Sequence, residues 1–404
     1  MLGKLVFKKK NLLLCAYIIY FISLPFGIVS IGVGGSLLKL IAFIPLIVWL
    51  LSKENIKINS VLIAQLLLTL YMLFTALYSI NTSITISRFF SNATFTFLII
   101  VFSSHFYSSE VDENLKKALV WASRISAILI ILFGTIIEGR LILDNNIFVE
   151  DANYMNAYYS FAIINCMSLI LKKNEKFYLR ILSFIELLIY FYIIFSTGSR
   201  SGLFMSLGAI IVFIIMYPDI GRQNIFIIGK KILFIIIAIF FIYIIVINLV
   251  PEEMFLRFTA ESIENSNGTG RYMIWENGWK IFQKSSLINQ IFGYGAGTIR
   301  DIFTTNGYIS KVMHNIFLEI LLEDGMIGLG IYIFFISRLL RLSLKNGDLF
   351  SFSIVIGMII FSFSASLSTF KPYWNIVLFL CFINSSSKNK YVCVNKENYL
   401  SSKL

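Results

Sequence analysis

The feature that most restricts this chain is a succession of Leu-, Ile-, Phe- and Val-rich runs, broken only by short polar stretches. Most approach the roughly 20 residues with which a helix crosses about 30 Å of hydrocarbon. The expected architecture is an all-α polytopic integral membrane protein. About 12 transmembrane helices are predicted, over 12–30, 37–51, 61–80, 89–107, 118–137, 156–171, 178–196, 201–217, 232–250, 314–337, 349–368 and 373–384. The tenth has a second reading, because Glu319, Glu323 and Asp324 are polar: an interfacial helix followed by a span over 325–344 also fits. Composition excludes a soluble domain, since 58% of residues are hydrophobic and only 14% are charged, against about 25% charged in globular proteins.

The basic residues give the orientation. With the N-terminus in the cytoplasm, alternate connections hold 22 Lys and Arg inside and 10 outside, and the C-terminus is cytoplasmic too. The net charge of +12 therefore reads as a positive-inside signal, and no nucleic-acid partner is expected. The chain divides into nine spans (1–250), a large extracytoplasmic loop with an interfacial helix (251–313), three more spans (314–384) and a basic cytoplasmic tail (385–404). The basic start leads into a run long enough to span and is followed by no small-residue cleavage site, so it reads as a retained first span. Cys15, Cys166, Cys381 and Cys393 have no metal-ligand or CxxC spacing.

Lys and Arg divide unequally between the two sides. Of the inner basic residues 18 are Lys and 4 are Arg, whereas the outer ones are 6 Arg and 4 Lys. Arg presents a planar fork of donors that binds phosphate bidentately and stays charged when partly desolvated. An outer face poor in basic residues yet enriched in Arg suggests an anionic ligand, most simply a lipid phosphate or diphosphate. Arg200, in Ser196-Thr197-Gly198-Ser199-Arg200-Ser201-Gly202, starts a span, where helix N-terminal N–H groups also favour phosphate oxygens. A snorkelling interfacial Arg is the other reading. In the large loop Tyr272, Trp275, Trp279 and Phe282 recur at helical spacing, with Arg271 one turn before Trp275. Such a helix suits a membrane interface, although simple packing on the bundle fits the same pattern. Gly293-Tyr294-Gly295-Ala296-Gly297 follows no strand and reads as a tight turn that lets backbone approach a ligand or a neighbouring helix, not as a nucleotide loop.

Only two histidines occur. His105 lies near the cytoplasmic end of the fourth span, where a structural role fits. His314, at the outer mouth of the tenth, is the natural general base, because imidazole titrates near neutral pH. It has no partners at metal-ligand spacing, so neither a metal nor another cofactor is expected. Glu186, Glu319, Glu323 and Asp324 would suit an ion pathway, which keeps a transporter or flippase open as a reading.

The Ser-Arg-Ser turn, the Gly270-Arg271-x-x-x-Trp275 stretch, the Phe292-Gly293-Tyr294-Gly295 turn and His314-Asn315-x-Phe317-Leu318-Glu319 occur in this order in the chain. Together they resemble the O-antigen ligase and Wzy-type O-antigen or capsule polymerase superfamily. Asp151-Ala152-Asn153 looks like that family's Asp-Pro-Asn stretch with Ala in place of Pro. The resemblance implies a metal-independent glycosyltransferase of the bacterial cytoplasmic membrane, working on its outer face with a polyprenyl-diphosphate-linked oligosaccharide. Arg200 and Arg271 would grip the diphosphate, His314 would take the proton from the acceptor hydroxyl, and Arg88 is a further candidate diphosphate contact. A repeat-unit polymerase is the first expectation and a ligase acting on a lipid-core or protein acceptor the second. Other polysaccharide-export components are candidate partners.

Overall fold

A computed structural model describes residues 2–31, 35–52, 58–103, 109–137, 139–144, 149–150, 152–172, 174–217, 270–345, 348–366 and 375–380, with scattered positions between 226 and 248. The basic tail, His105, residues 251–269 and about two-thirds of the predicted ninth span lie outside the described residues, as does about half of the twelfth.

The described chain is mostly helical: α1 (Leu2–Ile22), α2 (Leu37–Ile41), α3 (Phe43–Ser52), α4 (Ser60–Thr75), α5 (Thr82–Ser103), α6 (Ser109–Phe133), α7 (Ala152–Leu171), α8 (Phe177–Ser196) and α9 (Arg200–Met216). After the large loop come α10 (Arg271–Lys284), α11 (Leu287–Phe292), α12 (Ile299–Thr305), α13 (Ile316–Glu323), α14 (Gly325–Lys345) and α15 (Leu349–Ser362). Among the described residues three helices are long and apolar enough to cross a membrane, α5, α8 and α14, and six shorter apolar helices accompany them. Leu50, Leu70, Phe90, Leu132 and Phe204 lie exposed on the helix surfaces. A soluble fold would have to cover them, whereas a lipid-facing surface leaves them in their preferred solvent.

Several boundaries differ from the expectation. The tenth span does not run unbroken from 314: α13 ends at Glu323 and α14 begins at Gly325, the second of the two readings. Gly325 has φ +67°, and a Cβ there would lie 2.3 Å from the carbonyl oxygen of Ile291. The chain therefore turns where a helical residue with a side chain could not. The second span is divided between α2 and α3. The fourth begins at Thr82, which puts Arg88 inside a helix instead of at its mouth. An all-α chain was expected, yet five short strands form. β1 (Ser30–Ile31) pairs with β2 (Gly35–Ser36), and β3 (Thr135–Ile137), β4 (Arg140–Asp144) and β5 (Val149–Glu150) make an antiparallel sheet between α6 and α7. Ile137 sits opposite Arg140, the register of a tight hairpin, and the β-branched Thr135-Ile136-Ile137 suits the pleat.

Glu186, one of the carboxylates named for an ion pathway, is paired. Arg124 on α6 donates from Nε and Nη2 to its two carboxylate oxygens, each at 2.8 Å, and the Tyr190 hydroxyl adds a third bond at 3.1 Å. The pair ties α6 to α8 inside the bundle.

Most of the bundle shares one apolar core, while a second, smaller one lies under the large loop. There Ile274 and Ile281 of α10 meet Ile299, Ile302 and Phe303 of α12, together with Met313 and Leu322. This second core fixes α10 relative to the segment that carries His314.

Candidate active site

The Arg200 turn is built from its sequence upward. α8 closes with Gly198 at φ +62°, the left-handed conformation that glycine adopts without a Cβ penalty. Ser199 then caps α9, its hydroxyl accepting from the Gly202 N–H at 3.1 Å. Arg200 is the first residue of the new helix, half-buried beside N–H groups that have no intrahelical partner. The start of α7 buttresses the turn. Ser199 donates to Asn153 Oδ1 at 2.7 Å, and Asn156 donates to Thr197 Oγ1 at 2.8 Å. From β4, Arg140 donates to the Thr197 carbonyl at 2.9 Å. A Cβ at Gly202 would lie 2.5 Å from that of Asn156, so α9 and α7 touch here at closest range.

Arg271 reaches this turn from the large loop. Its Nη1 lies 3.5 Å from the hydroxyl of Ser201, the residue next to Arg200. Two guanidinium-bearing residues 71 positions apart in sequence are thereby brought to one helix N-terminus.

α10 continues from Arg271 to the histidine. One turn on, Trp275 donates from Nε1 to the Met313 carbonyl at 3.0 Å, and Gly278 gives room for the Met313 side chain. His314 follows directly. Its φ is +49°, the only positive value among the described non-glycine residues. Such a conformation costs on the order of 1–3 kcal/mol and persists only where the surroundings over-determine it. Those surroundings are present: the His314 N–H donates to Ser366 Oγ at 2.8 Å. Asn315 caps α13 by accepting from the Phe317 and Leu318 N–H groups. The imidazole-bearing residue is thus clamped from α10, α13 and the residues after α15.

Arg88 packs beside Gly297, and its charge acts on the buried carboxyl groups of Glu323 and Asp324. These lie at the far end of α13 from His314, about 12 Å away for an eight-residue helix. The glycine turn packs on the same end: Tyr294 and Gly295 donate to the Leu322 and Glu323 carbonyls, and the Ile299 N–H donates to Glu323 Oε1 at 2.9 Å. It approaches a neighbouring helix, one of the two options expected of it. On the outer surface of α10, Glu276 and Lys280 are 2.6 Å apart, and the carboxylate holds the Lys280 ammonium above its ordinary range. Among the described residues no group of three or more His, Cys, Asp or Glu is arranged to hold a metal.

Residues 185–333 match the family model described as O-antigen ligase. This matched domain covers well under half of the chain. That domain contains Arg200, Arg271 and His314 and leaves Arg88 outside it. No curated protein matches the chain. Among solved structures it is similar to a chain described under the structural coordination of polymerization and crosslinking by a peptidoglycan synthase complex. The two are 11% identical over 82% of this chain and 98% of that one, with a TM-score of 0.46.

The O-antigen ligase domain also holds groups that sequence reading missed. Ser201 and the Trp275 indole N–H link the three site residues, while Asn153, Asn156 and Ser366 support them from outside the domain. Asn153 had a signal in the Asp-Ala-Asn stretch. Ser366 had none.

Proposed function

We propose that this protein is a polysaccharide repeat-unit polymerase. It transfers glycan from a polyprenyl-diphosphate donor to a lipid-linked oligosaccharide acceptor at the outer face of the bacterial cytoplasmic membrane. The observation that supports the reading is the contact of Arg271 with Ser201, the residue after Arg200, while Trp275, one turn along α10, bonds the carbonyl of Met313 just before His314. In this reading the acceptor hydroxyl oxygen attacks the anomeric carbon and its proton passes to His314. The bond from that carbon to the diphosphate oxygen breaks, and the leaving diphosphate takes the electron pair. Its charge is met by Arg200, Arg271 and the α9 N-terminus, preorganised donors of the kind that stabilise developing anions. No step needs a metal. Arg88, whose charge acts on Glu323 and Asp324, has a structural part in this scheme and no diphosphate contact.

A ligase reading has its own support in the family description. It shares the donor site and differs only in acceptor. Purified protein incubated with lipid-linked repeat units alone separates the two. A ladder of longer glycans is expected of a polymerase. Transfer only after a lipid-core or protein acceptor is added identifies a ligase, and movement of intact donor between leaflets without transfer overturns both. His314→Ala is expected to reduce turnover by about 10²–10⁴, the worth of a general base. Arg200→Ala and Arg271→Ala are each expected to cost about 10²–10³. Unchanged chain growth in all three variants would sink the site assignment.

A further inference from the structure

We infer that the outward face of α10 is a carbohydrate-binding platform for the glycan of the donor, an inference that rests on the diphosphate site proposed at Arg271. Two aromatic rings carry it. Tyr272 and Trp279 lie on the same side of the helix, two turns and about 10 Å apart along its axis, and are 59% and 46% exposed. Each is braced by an inner neighbour: Tyr272 stands edge-on to Trp275 with centroids 5.7 Å apart, and Trp279 stacks on Phe282 at 5.5 Å. Trp275 is itself tied to Met313, so the rings are presented from a fixed base.

An exposed aromatic pair could instead dip into lipid, but the groups beside it speak against that. Glu276 and Lys280 share the exposed side with the two rings, with side chains 63% and 49% exposed, and Gln283 is exposed there too. Immersing this face would strip water from a carboxylate, an ammonium and an amide. A pyranose presents what the face can use: axial C–H groups for the negative faces of the rings and hydroxyls for the carboxylate, amide and ammonium. The polarity along the helix fits as well. The anion-gripping residue is the first of α10, so a glycan leaving the diphosphate at Arg271 runs out over Tyr272 and then Trp279.

The test uses the full-length protein in nanodiscs and, as probe, the soluble oligosaccharide released by mild acid from lipid-linked repeat units. Saturation-transfer NMR is expected to detect its binding to the wild type and to lose it in Tyr272→Ala/Trp279→Ala. Both rings are exposed, so the melting temperature should not change. In the transfer assay the variant should raise KM for the lipid-linked donor about tenfold, the effect of losing roughly 1.4 kcal/mol of ring contact. Binding of polyprenyl diphosphate without sugar should be unaffected. Absence of oligosaccharide binding to the wild type, or binding undiminished in the variant, overturns the platform. So does quenching by brominated phospholipids of the fluorescence lost in Trp279→Phe, which would put the ring in the membrane. Should the glycan bind through these rings in a protein that transfers it to no acceptor, the platform stands and the transferase reading falls.

Discussion

His314 shows how one residue can be read and its support missed. An imidazole at the mouth of an apolar run is conspicuous in a sequence, as are Arg200 and Arg271, because charge and titratable groups are costly near lipid and are kept where they act. Ser366 is not conspicuous. A serine in an apolar span usually returns its hydroxyl to its own helix, as Ser362 does to the Met358 carbonyl at 2.8 Å. Ser366 lies past the end of α15 and accepts from His314 instead, at 2.8 Å across 52 residues. Nothing in its spacing distinguishes the two. Removing that acceptor leaves a left-handed residue without one of its restraints, and a displacement of about 1 Å can cost on the order of 10²-fold in rate. Ser366→Ala is therefore expected to lower kcat 10- to 100-fold, roughly the range of that penalty, while Ser366→Thr, which keeps the hydroxyl, restores most of it. Equal kcat in wild type and alanine variant would show that the His314 backbone is held without this bond.

At the scale of elements, the elbow between α13 and α14 decides the geometry of the outer end. The run over 314–337 is mostly apolar, and the sequence hints at the break through Glu319, Glu323 and Asp324. Hydropathy could suggest but not fix it, because the turn depends on contacts with a segment some 30 residues upstream. The Gly293 turn lies so close that Cβ atoms at Gly293 and Gly325 would meet backbone atoms of Glu323 and Ile291 at 2.2 and 2.3 Å. The strands between α6 and α7 were illegible for a related reason: pieces of two to five residues acquire their pairing only from the chain that returns beside them. Gly325→Ala is expected to lower stability by at least about 2 kcal/mol, from the positive φ alone, with more from the backbone collision. Gly330→Ala is the matched control, since a Cβ there meets nothing within 4 Å and the change adds helix propensity. Thermal unfolding of the two purified variants checks this. Equal melting temperatures would mean the elbow relaxes without cost.

For the whole molecule, several polar contacts gather into two groups. Residues assigned to the outer side bond among themselves: Asn81 with Asp301, Arg140 with Thr197, Arg271 with Ser201, His314 with Ser366. Residues assigned to the inner side do the same: Lys116 with Asp348 at 3.2 Å, Arg180 with the Lys172 carbonyl, Lys231 with the Tyr217 carbonyl. Among these bonds none joins an inner residue to an outer one. The Arg271–Ser201 and Trp275–Met313 bonds keep the three proposed site residues close together. The absolute direction rests on the basic residues, 22 against 10. The direction can be read in cells with a membrane-impermeant maleimide, after the native cysteines are replaced and single cysteines are placed at exposed lysines. Lys284→Cys, on α10, should label in intact cells. Lys345→Cys, at the end of α14, should label only after the membrane is opened. The reverse pattern would turn the molecule over and put the proposed site on the cytoplasmic face. An outer-face transferase would then be excluded, however well the arginines and the histidine are arranged.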